Sequence, residues 1–297
     1  MKIAEKAYAK LTLTLRLLDK REDGFNNIDA LTAYCSDLYD VLSVEANVLT
    51  SLKVAKDSTV EKDLVIDGSN LILKAHKLFI NSIREFKNED SGYCFEIEKH
   101  IPSGAGLGGG SADCAATFRV LNHLYQNHFN LDQLVDMAGE LGSDIPGCII
   151  SKILKMTDTG KVINTIESNT DFLKGYQTLI ITPDIFCPTP EIYKHYDVIS
   201  RPTHEGIEAP TDFASFTDNF HNDLEIAALD RFNELSDFKN YIEKISGLSF
   251  LLAGSGSSIF CILDTDRANS LYNMLKIELE NELKHEKIRQ LAVSAIC

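Results

Sequence analysis

No stretch of the sequence approaches the roughly 18–20 consecutive apolar residues that a membrane-crossing helix needs, so no membrane span is expected. The first ten residues hold three lysines and a glutamate around no apolar core, which argues against a secretory signal there. Basic residues are scarce: 29 Lys and Arg against 44 Asp and Glu give a formal net charge of −15. Nucleic-acid backbones are neutralised by clustered cations, so a nucleic-acid partner is not expected. An anionic small molecule stays open, because a local cationic pocket outweighs a distant negative surface. The seven cysteines include no C-x-x-C pair, and the eight histidines lack ligand spacing. His123 and His128, five apart, do not share a helical face. Reduced thiols packed in the core of a cytoplasmic protein are expected, with no zinc site. Internal repeats and low-complexity tracts are absent as well.

What is present is an ordinary globular composition, 44% apolar and 25% charged over 297 residues. That length suits two domains, placed at 1–156 and 157–297. Residues 7–18 alternate apolar and polar and read as a half-buried strand. A polar turn around Gly24 follows, then strands at about 28–36 and 38–46. Residues 54–68 are irregular. Residues 69–87 carry Leu71, Ala75, Leu78, Phe79 and Ile83 at helical spacing, with Ser69 placed to cap. A strand over 93–98 leads into a glycine-rich segment. Helices are predicted from Ser111 to about His128 and over 131–141, the second ending at Gly142. Further on, strands are expected at 162–166 and 177–182, a strand–glycine turn–strand at 248–263, and helices at about 222–233, 236–245 and 266–280. Three prolines argue against a helix over 183–190, and 200–220 reads as exposed turns. Strand runs mixed with helical runs point to an α+β fold.

The densest chemical signal is Lys99-His-Ile-Pro-Ser-Gly-Ala-Gly-Leu-Gly-Gly-Gly-Ser111. Glycines at 104, 106, 108, 109 and 110 let backbone amides approach a ligand closely. The segment opens a helix, whose N-terminal N–H groups and dipole favour anions. Together these make a polyphosphate cradle. A Walker A loop is excluded because no Gly-Lys-Ser/Thr follows. The spacing also departs from the dinucleotide fingerprint, although Gly106-x-Gly108-x-x-Ser111 comes near it. The plainer alternative, a flexible linker, fits poorly between an alternating strand and an amphipathic helix.

Pro102-Ser-Gly-Ala-Gly-Leu-Gly-Gly-Gly-Ser-Ala112 resembles the second signature motif of the GHMP kinases, which include galactokinase and the homoserine and mevalonate kinases. Ala9-Lys10-Leu11 resembles the first motif, and Ala253-Gly-Ser-Gly-Ser-Ser258 the third, a glycine turn that buttresses the phosphate loop. Four further segments resemble the branch comprising the 4-diphosphocytidyl-2-C-methyl-D-erythritol kinases of non-mevalonate isoprenoid synthesis. They are Arg21-Glu-Asp-Gly-Phe25, Leu141-Gly-Ser-Asp-Ile-Pro146, Pro188-Thr-Pro-Glu-Ile-Tyr193 and Asn222-Asp-Leu-Glu225. The matches fall in order along nearly the whole chain. The resemblance implies a two-lobed α+β fold with its active site in the cleft between lobes, ATP and Mg2+ as cofactors, a cytidine diphosphate conjugate as substrate, and a monomer or homodimer.

It also implies roles. Asp144 is the catalytic base, since an acceptor hydroxyl needs a carboxylate to take or orient its proton; a helix cap or turn residue is the plainer reading. Lys10 pairs with it and stabilises charge on the moving phosphoryl group. Its alternation partners Thr12 and Thr14 are polar, so that strand face suits a site. Pro102, Gly104, Gly106, Leu107, Gly108, Gly109, Gly110 and Ser111 bind the nucleotide, with Ser111 reaching phosphate or Mg2+, or capping the helix. Asn70 and Leu71 match the adenine-side segment, beside the alternative of a plain helix start. Lys99 assists the nucleotide or is an ordinary surface lysine. Phe25 and Tyr193 match two aromatics that sandwich cytosine. The chain departs from the family at Asn26, where a cytosine-binding His is usual, and at Thr12, where an Asn is usual. An acceptor other than the cytidine conjugate, or a non-catalytic nucleotide-binding relative, are the alternatives; the presence of Lys10 and Asp144 argues against the second.

Overall fold

The computed structural model describes residues 2–60, 64–84, 92–166, 170–199, 210, 212–282 and 288–297. In chain order the elements are β1 (Lys2–Lys20), β2 (Asn26–Asn47), β3 (Ser51–Val54), α1 (Leu71–Arg84), β4 (Gly92–Glu98), α2 (Gly109–Leu124), α3 (Leu131–Gly139), α4 (Ile145–Ile150), β5 (Leu154–Asp158), β6 (Val162–Thr165), β7 (Tyr176–Pro183), α5 (Thr189–Tyr196), α6 (Phe213–Asp218), β8 (His221–Asn222), α7 (Asp223–Arg231), α8 (Asn233–Ser246), β9 (Leu251–Leu252), β10 (Ile259–Asp264), α9 (Thr265–Glu282) and β11 (Ile288–Ala295). Strands and helices are mixed as an α+β fold. They divide into two compact units, each assembled from several stretches of chain.

The first unit comprises 1–9, 39–103 and 108–151. Here the second half of β2 pairs antiparallel with β4, in the register Val41–Glu98 to Asn47–Gly92, and β3 adds parallel to β4. The apolar face of this sheet, Leu42, Val44, Phe95 and Ile97, is fully buried. So are Ala75, Phe79 and Ile83 of α1 and Ala115, Phe118 and Leu121 of α2. Apolar residues three and four apart give each helix one buried stripe, so the two pack side by side over that face. Helices α3 and α4 pack against α2 and each other.

The second unit comprises 10–38, 104–107 and 152–297. The first half of β2 pairs antiparallel with β5, which pairs with β6, while β1 takes β8 as a short parallel neighbour. A separate antiparallel sheet runs β11-β7-β10-β9. Leu179, Ile180 and Ile181 of β7 are all buried, as a central strand covered on both faces requires.

Several sequence expectations change. Residues 28–36 and 38–46 form one strand, because the polar Ser36-Asp37 step is satisfied rather than turned. Asp37 N donates to Ser294 Oγ at 3.0 Å, and its carboxylate accepts from Ala295 N at 2.9 Å. Strand β1 is covered on both faces over Ala9–Leu15, not half-buried. Helix α1 starts at Leu71, and its cap is Asn70, whose Oδ1 accepts from Ile72 N at 2.9 Å. Ser69 instead turns back to Asp67. The predicted end of that helix, 85–87, lies outside the described residues. Helix α2 starts two residues before Ser111 and ends at Leu124, not His128. Helix α3 stops at Gly139 with Glu140 as its right-handed cap, so Gly142 does not end it. The proline segment does begin a helix at Thr189. Pro188 is its cap and Pro190 lies in the first turn, where a missing N–H breaks no helical hydrogen bond. Most of 200–220 lies outside the described residues, and α6 occupies 213–218.

Candidate active site

The glycine segment is positioned by different means in the two units. In the first unit, continuing the β2–β4 register one step past Val41–Glu98 places Asp40 opposite Lys99. Both are buried, Lys99 at 1% and Asp40 at 0% exposure. The Lys99 ammonium donates to Asp40 and, at 2.7 Å, to Asp113 Oδ2 on the second turn of α2. The other oxygen of Asp40 accepts from the amides of His100 and Ile101, the latter at 2.8 Å. Ser58 Oγ accepts from Lys99 N at 3.0 Å. The alternative of Lys99 as a surface lysine is thereby excluded. Burial works against its charge, but Asp113 and Asp40 hold the ammonium above its ordinary range. Burial pushes the Asp113 carboxyl up, with Lys99 pulling it back and Asp40 pushing it further. Asp113 Oδ1 is buried and has no hydrogen-bond partner among the described residues.

Helix α2 begins after Gly108, whose φ of 66° is left-handed and which offers no side-chain cap. The first-turn amides are therefore not taken by a side-chain cap, which suits an anion. Ser111 is third in the helix, so the capping alternative for it falls away. A Cβ on Gly109 would stand 3.0 Å from Ile101 Cγ2 and 3.4 Å from Lys99 Nζ, whereas Gly110 has open space up to Leu71 Cδ1 at 3.8 Å. Leu71 and the cap Asn70 thus lie at the start of α1 beside the start of α2. Asp144 immediately precedes α4, where it occupies the cap position without a side-chain capping hydrogen bond. Arg119 steadies α4 from α2, donating to Cys148 O at 2.7 Å while binding Glu5 and Lys6 O on β1.

In the second unit, Lys10 N donates to Leu107 O at 2.8 Å, so β1 and the loop are joined main chain to main chain. Lys10, Thr12 and Thr14 are all buried, at 8%, 5% and 0% exposure. Gly106 has φ +78° and backs onto the turn 253–258 so closely that a Cβ would lie 1.9 Å from Ala253 O. Gly254 faces Thr12 Oγ1 and Gly106 O across the same gap. Ser258 N donates to Ala105 O at 3.1 Å. The turn is braced by residues that sequence reasoning matched without assigning a role. Asn222 Nδ2 donates to Leu252 O at 2.8 Å and Gly254 O at 2.7 Å. Glu225 accepts from Leu252 N at 2.8 Å, while Asp223 ties the same segment to β1, accepting from Leu17 N at 2.6 Å. Thr189 and Ser255 share a hydroxyl contact of 2.7 Å. Phe186, which sequence reasoning missed, lays its ring edge against Gly104 while staying 67% exposed. Phe25 stands on the turn before β2 and is 66% exposed, Asn26 beside it is buried, and Tyr193 is half-buried on α5.

Comparison with known proteins agrees with this geometry. The model of the GHMP kinases N terminal domain matches residues 70–152, which span Asn70, Lys99, the glycine loop and Asp144. Over 278 residues the chain is 31% identical to the 4-diphosphocytidyl-2-C-methyl-D-erythritol kinase of Clostridium botulinum, covering 91% of this chain and 95% of that protein. Over 257 residues it is 33% identical to the enzyme of the same name from Protochlamydia amoebophila, covering 86% and 82%. The chain belongs to the GHMP kinase family. As a GHMP kinase it has the two-lobed α+β architecture and is an ATP-dependent phosphotransferase with a small-molecule acceptor. Its fold is similar to a crystal structure of 4-(cytidine 5'-diphospho)-2C-methyl-D-erythritol kinase, with TM-score 0.73, 26% identity and coverage of 93% of this chain and 96% of that one. A homoserine kinase from Cytophaga hutchinsonii, at TM-score 0.65 and 15% identity over 99% of this chain and 95% of that one, shares the fold. No helix of this GHMP kinase, among the described residues, is long and apolar enough to cross a membrane.

Proposed function

We propose that this kinase transfers the γ-phosphoryl group of ATP to the 2-hydroxyl of 4-diphosphocytidyl-2-C-methyl-D-erythritol. The acceptor oxygen forms the new bond to phosphorus as the bond to the β-phosphate oxygen breaks, and ADP leaves. The hydroxyl proton passes to Asp144, which stands at the start of α4. Lys10 supplies positive charge to the oxygens of the moving group. The uncapped start of α2 and the side-chain-free backbone at Gly106 and Gly109 suit a polyphosphate. Among the described residues no group of three or more His, Cys, Asp or Glu could hold a metal by itself. Ser111, together with the nucleotide phosphates, would hold Mg2+, which would supply charge neutralisation. Asn70 and Leu71 border the adenine. Positioning and electrostatics carry most of the rate.

The observation that carries the choice of acceptor is Phe25. An aromatic ring left 66% exposed on a tight turn has no core to fill and suits stacking on a flat base. Tyr193 is the second aromatic of that reading, and similarity to relatives named for this acceptor supports it. One observation favours a different acceptor within the same chemistry: Asn26, at the cytosine-reading position of the family, is only 7% exposed.

The test is ADP release in a coupled assay with ATP and Mg2+, with and without the cytidyl acceptor. Acceptor-dependent release is expected. Release only with other polyol conjugates would move the assignment to a diverged acceptor. Asp144→Ala is expected to lose at least about a hundredfold in kcat while still binding ATP, in line with a lost general base. Wild-type turnover in that variant would remove Asp144 from its role.

A further inference from the structure

We infer that Lys99, Asp40 and Asp113 act together as a positioning device that holds the two ends of the glycine loop in register, so that Lys99 serves the nucleotide through the loop and not by touching it. This rests on the reading that the loop binds nucleotide phosphates, and it assigns work to Asp40 and Asp113 that the proposed chemistry leaves unused.

Four observations carry it. The Lys99 ammonium is enclosed, at 1% exposure, with two of its three donors directed to Asp40 and Asp113. Asp40 uses its second oxygen to hold the amides of His100 and Ile101, which are the chain entering the loop. Asp113 sits one helical turn beyond Gly109, so its carboxylate reaches back beneath the chain leaving the loop. The ammonium itself lies 3.4 Å from the position of a Cβ on Gly109, directly under the first residue of α2. One cation thus ties a strand end, a neighbouring strand and a helix start to a single point.

The need for such a tie follows from the loop. Gly104, Gly106 and Gly108 take φ of +67°, +78° and +66°. Glycines that adopt such angles at little cost also sample many others, and a ligand that orders them opposes that freedom. Fixing both ends narrows what remains to be ordered on binding. Within this trio, Asp113 Oδ1 is left without a partner among the described residues, as two carboxylates around one ammonium require, a set that would not accumulate for packing alone.

The experiment measures the dissociation constant of ADP by calorimetry on the full chain, with thermal unfolding run alongside to establish that each variant is folded. Lys99→Met is expected to weaken ADP at least tenfold while kcat at saturating ATP changes less than threefold. Asp40→Leu separates the two roles by sign. Positioning predicts weaker ADP binding, because the chain entering the loop loses its anchor. Direct contact predicts equal or tighter binding, because Lys99 keeps its charge and gains freedom to reach phosphate. Asp113→Asn, which keeps an acceptor for Lys99, is expected to recover most of the affinity that Asp113→Leu loses. If single variants do not fold, the uncharged triple variant Lys99→Met/Asp40→Leu/Asp113→Leu leaves no unbalanced buried charge and is expected to bind ADP at least tenfold more weakly. Folded variants with unchanged ADP affinity, or loss confined to kcat, would overturn the inference. Failure of the wild-type chain to bind ADP would instead overturn the phosphate-loop reading beneath it.

Discussion

The entry to the glycine loop and the turn 253–258 are both built around glycines, yet they are held by opposite means. At the loop entry a buried ammonium lies between two buried carboxylates, contributed by β2, the end of β4 and α2. At the turn, the carbonyl of Gly254 and that of Leu252 before it are held by the neutral amide of Asn222, and Thr189 and Ser255 meet hydroxyl to hydroxyl; the one carboxylate there, Glu225, accepts from Leu252 N just before the turn. The neutral brace gains about 0.5–1.5 kcal/mol per hydrogen bond and tolerates piecewise loss. The charged clamp is coupled through Lys99: removing that ammonium leaves two carboxyl groups buried without a counter-charge. The two regions therefore differ in how steeply they fail, and substitutions can be ordered by that difference.

The largest effect is expected where geometry leaves no relaxation. Gly106→Ala places a Cβ against the Ala253 carbonyl at a left-handed φ, so about 3 kcal/mol or more should be lost in denaturant unfolding. Gly110→Ala meets only the far end of Leu71 and should cost no stability, since alanine favours a helix by about 1 kcal/mol over glycine. Equal costs in the two variants would refute the close approach of the loop to the turn. Next comes Asn222→Ala, which leaves two carbonyls without their donor and should cost about 2–4 kcal/mol. Thr189→Val removes one shared hydroxyl contact, for about 1 kcal/mol. If these neutral-brace variants lost more than Lys99→Met, the contrast between the regions would be reversed.

The smallest effect concerns His76 on α1, whose ring lies edge-on to Tyr93 and Phe95. Burial, with a smaller push from Arg84, lowers its pKa to about 4. A depressed histidine favours the folded state above its unfolded value of roughly 6.5, and that contribution is lost as pH falls from there through 4. His76→Phe should flatten the fall of Tm over that window, and an unchanged slope would place the acid sensitivity elsewhere.

Much of the site was legible one segment at a time. The loop and the turn 253–258 stand out by residue type and local spacing, because phosphate cradling needs side-chain-free backbone beside a helix start, whereas Lys10 and Asp144 enter through resemblance to the family's motifs. Phe25 is singled out by the same resemblance. The role of Lys99 was not legible. From sequence it reads as a nucleotide contact or a surface lysine, since nothing local reveals that Asp40, 59 positions earlier, faces it. Asp113 was not singled out in the sequence; it lies buried among small residues of α2. The role of Asn222 depends on a turn 30 residues away. Helix ends were misread where the cap lay next to the obvious candidate, as Asn70 lies next to Ser69.

The sequence by itself determined the α+β class and the phosphate loop, because both rest on periodicity or on chemistry contained within a dozen residues, and its motifs, in order along the chain, carried the family resemblance from which Lys10 and Asp144 are proposed for chemistry. Tertiary structure alone decided which polar groups face one another. It joined β2 into one strand, covered both faces of β1 and buried Lys99 between two carboxylates. It also set Gly106 against Ala253. Those outcomes depend on strand register and close approach between segments far apart in the chain. Local spacing carries no record of either.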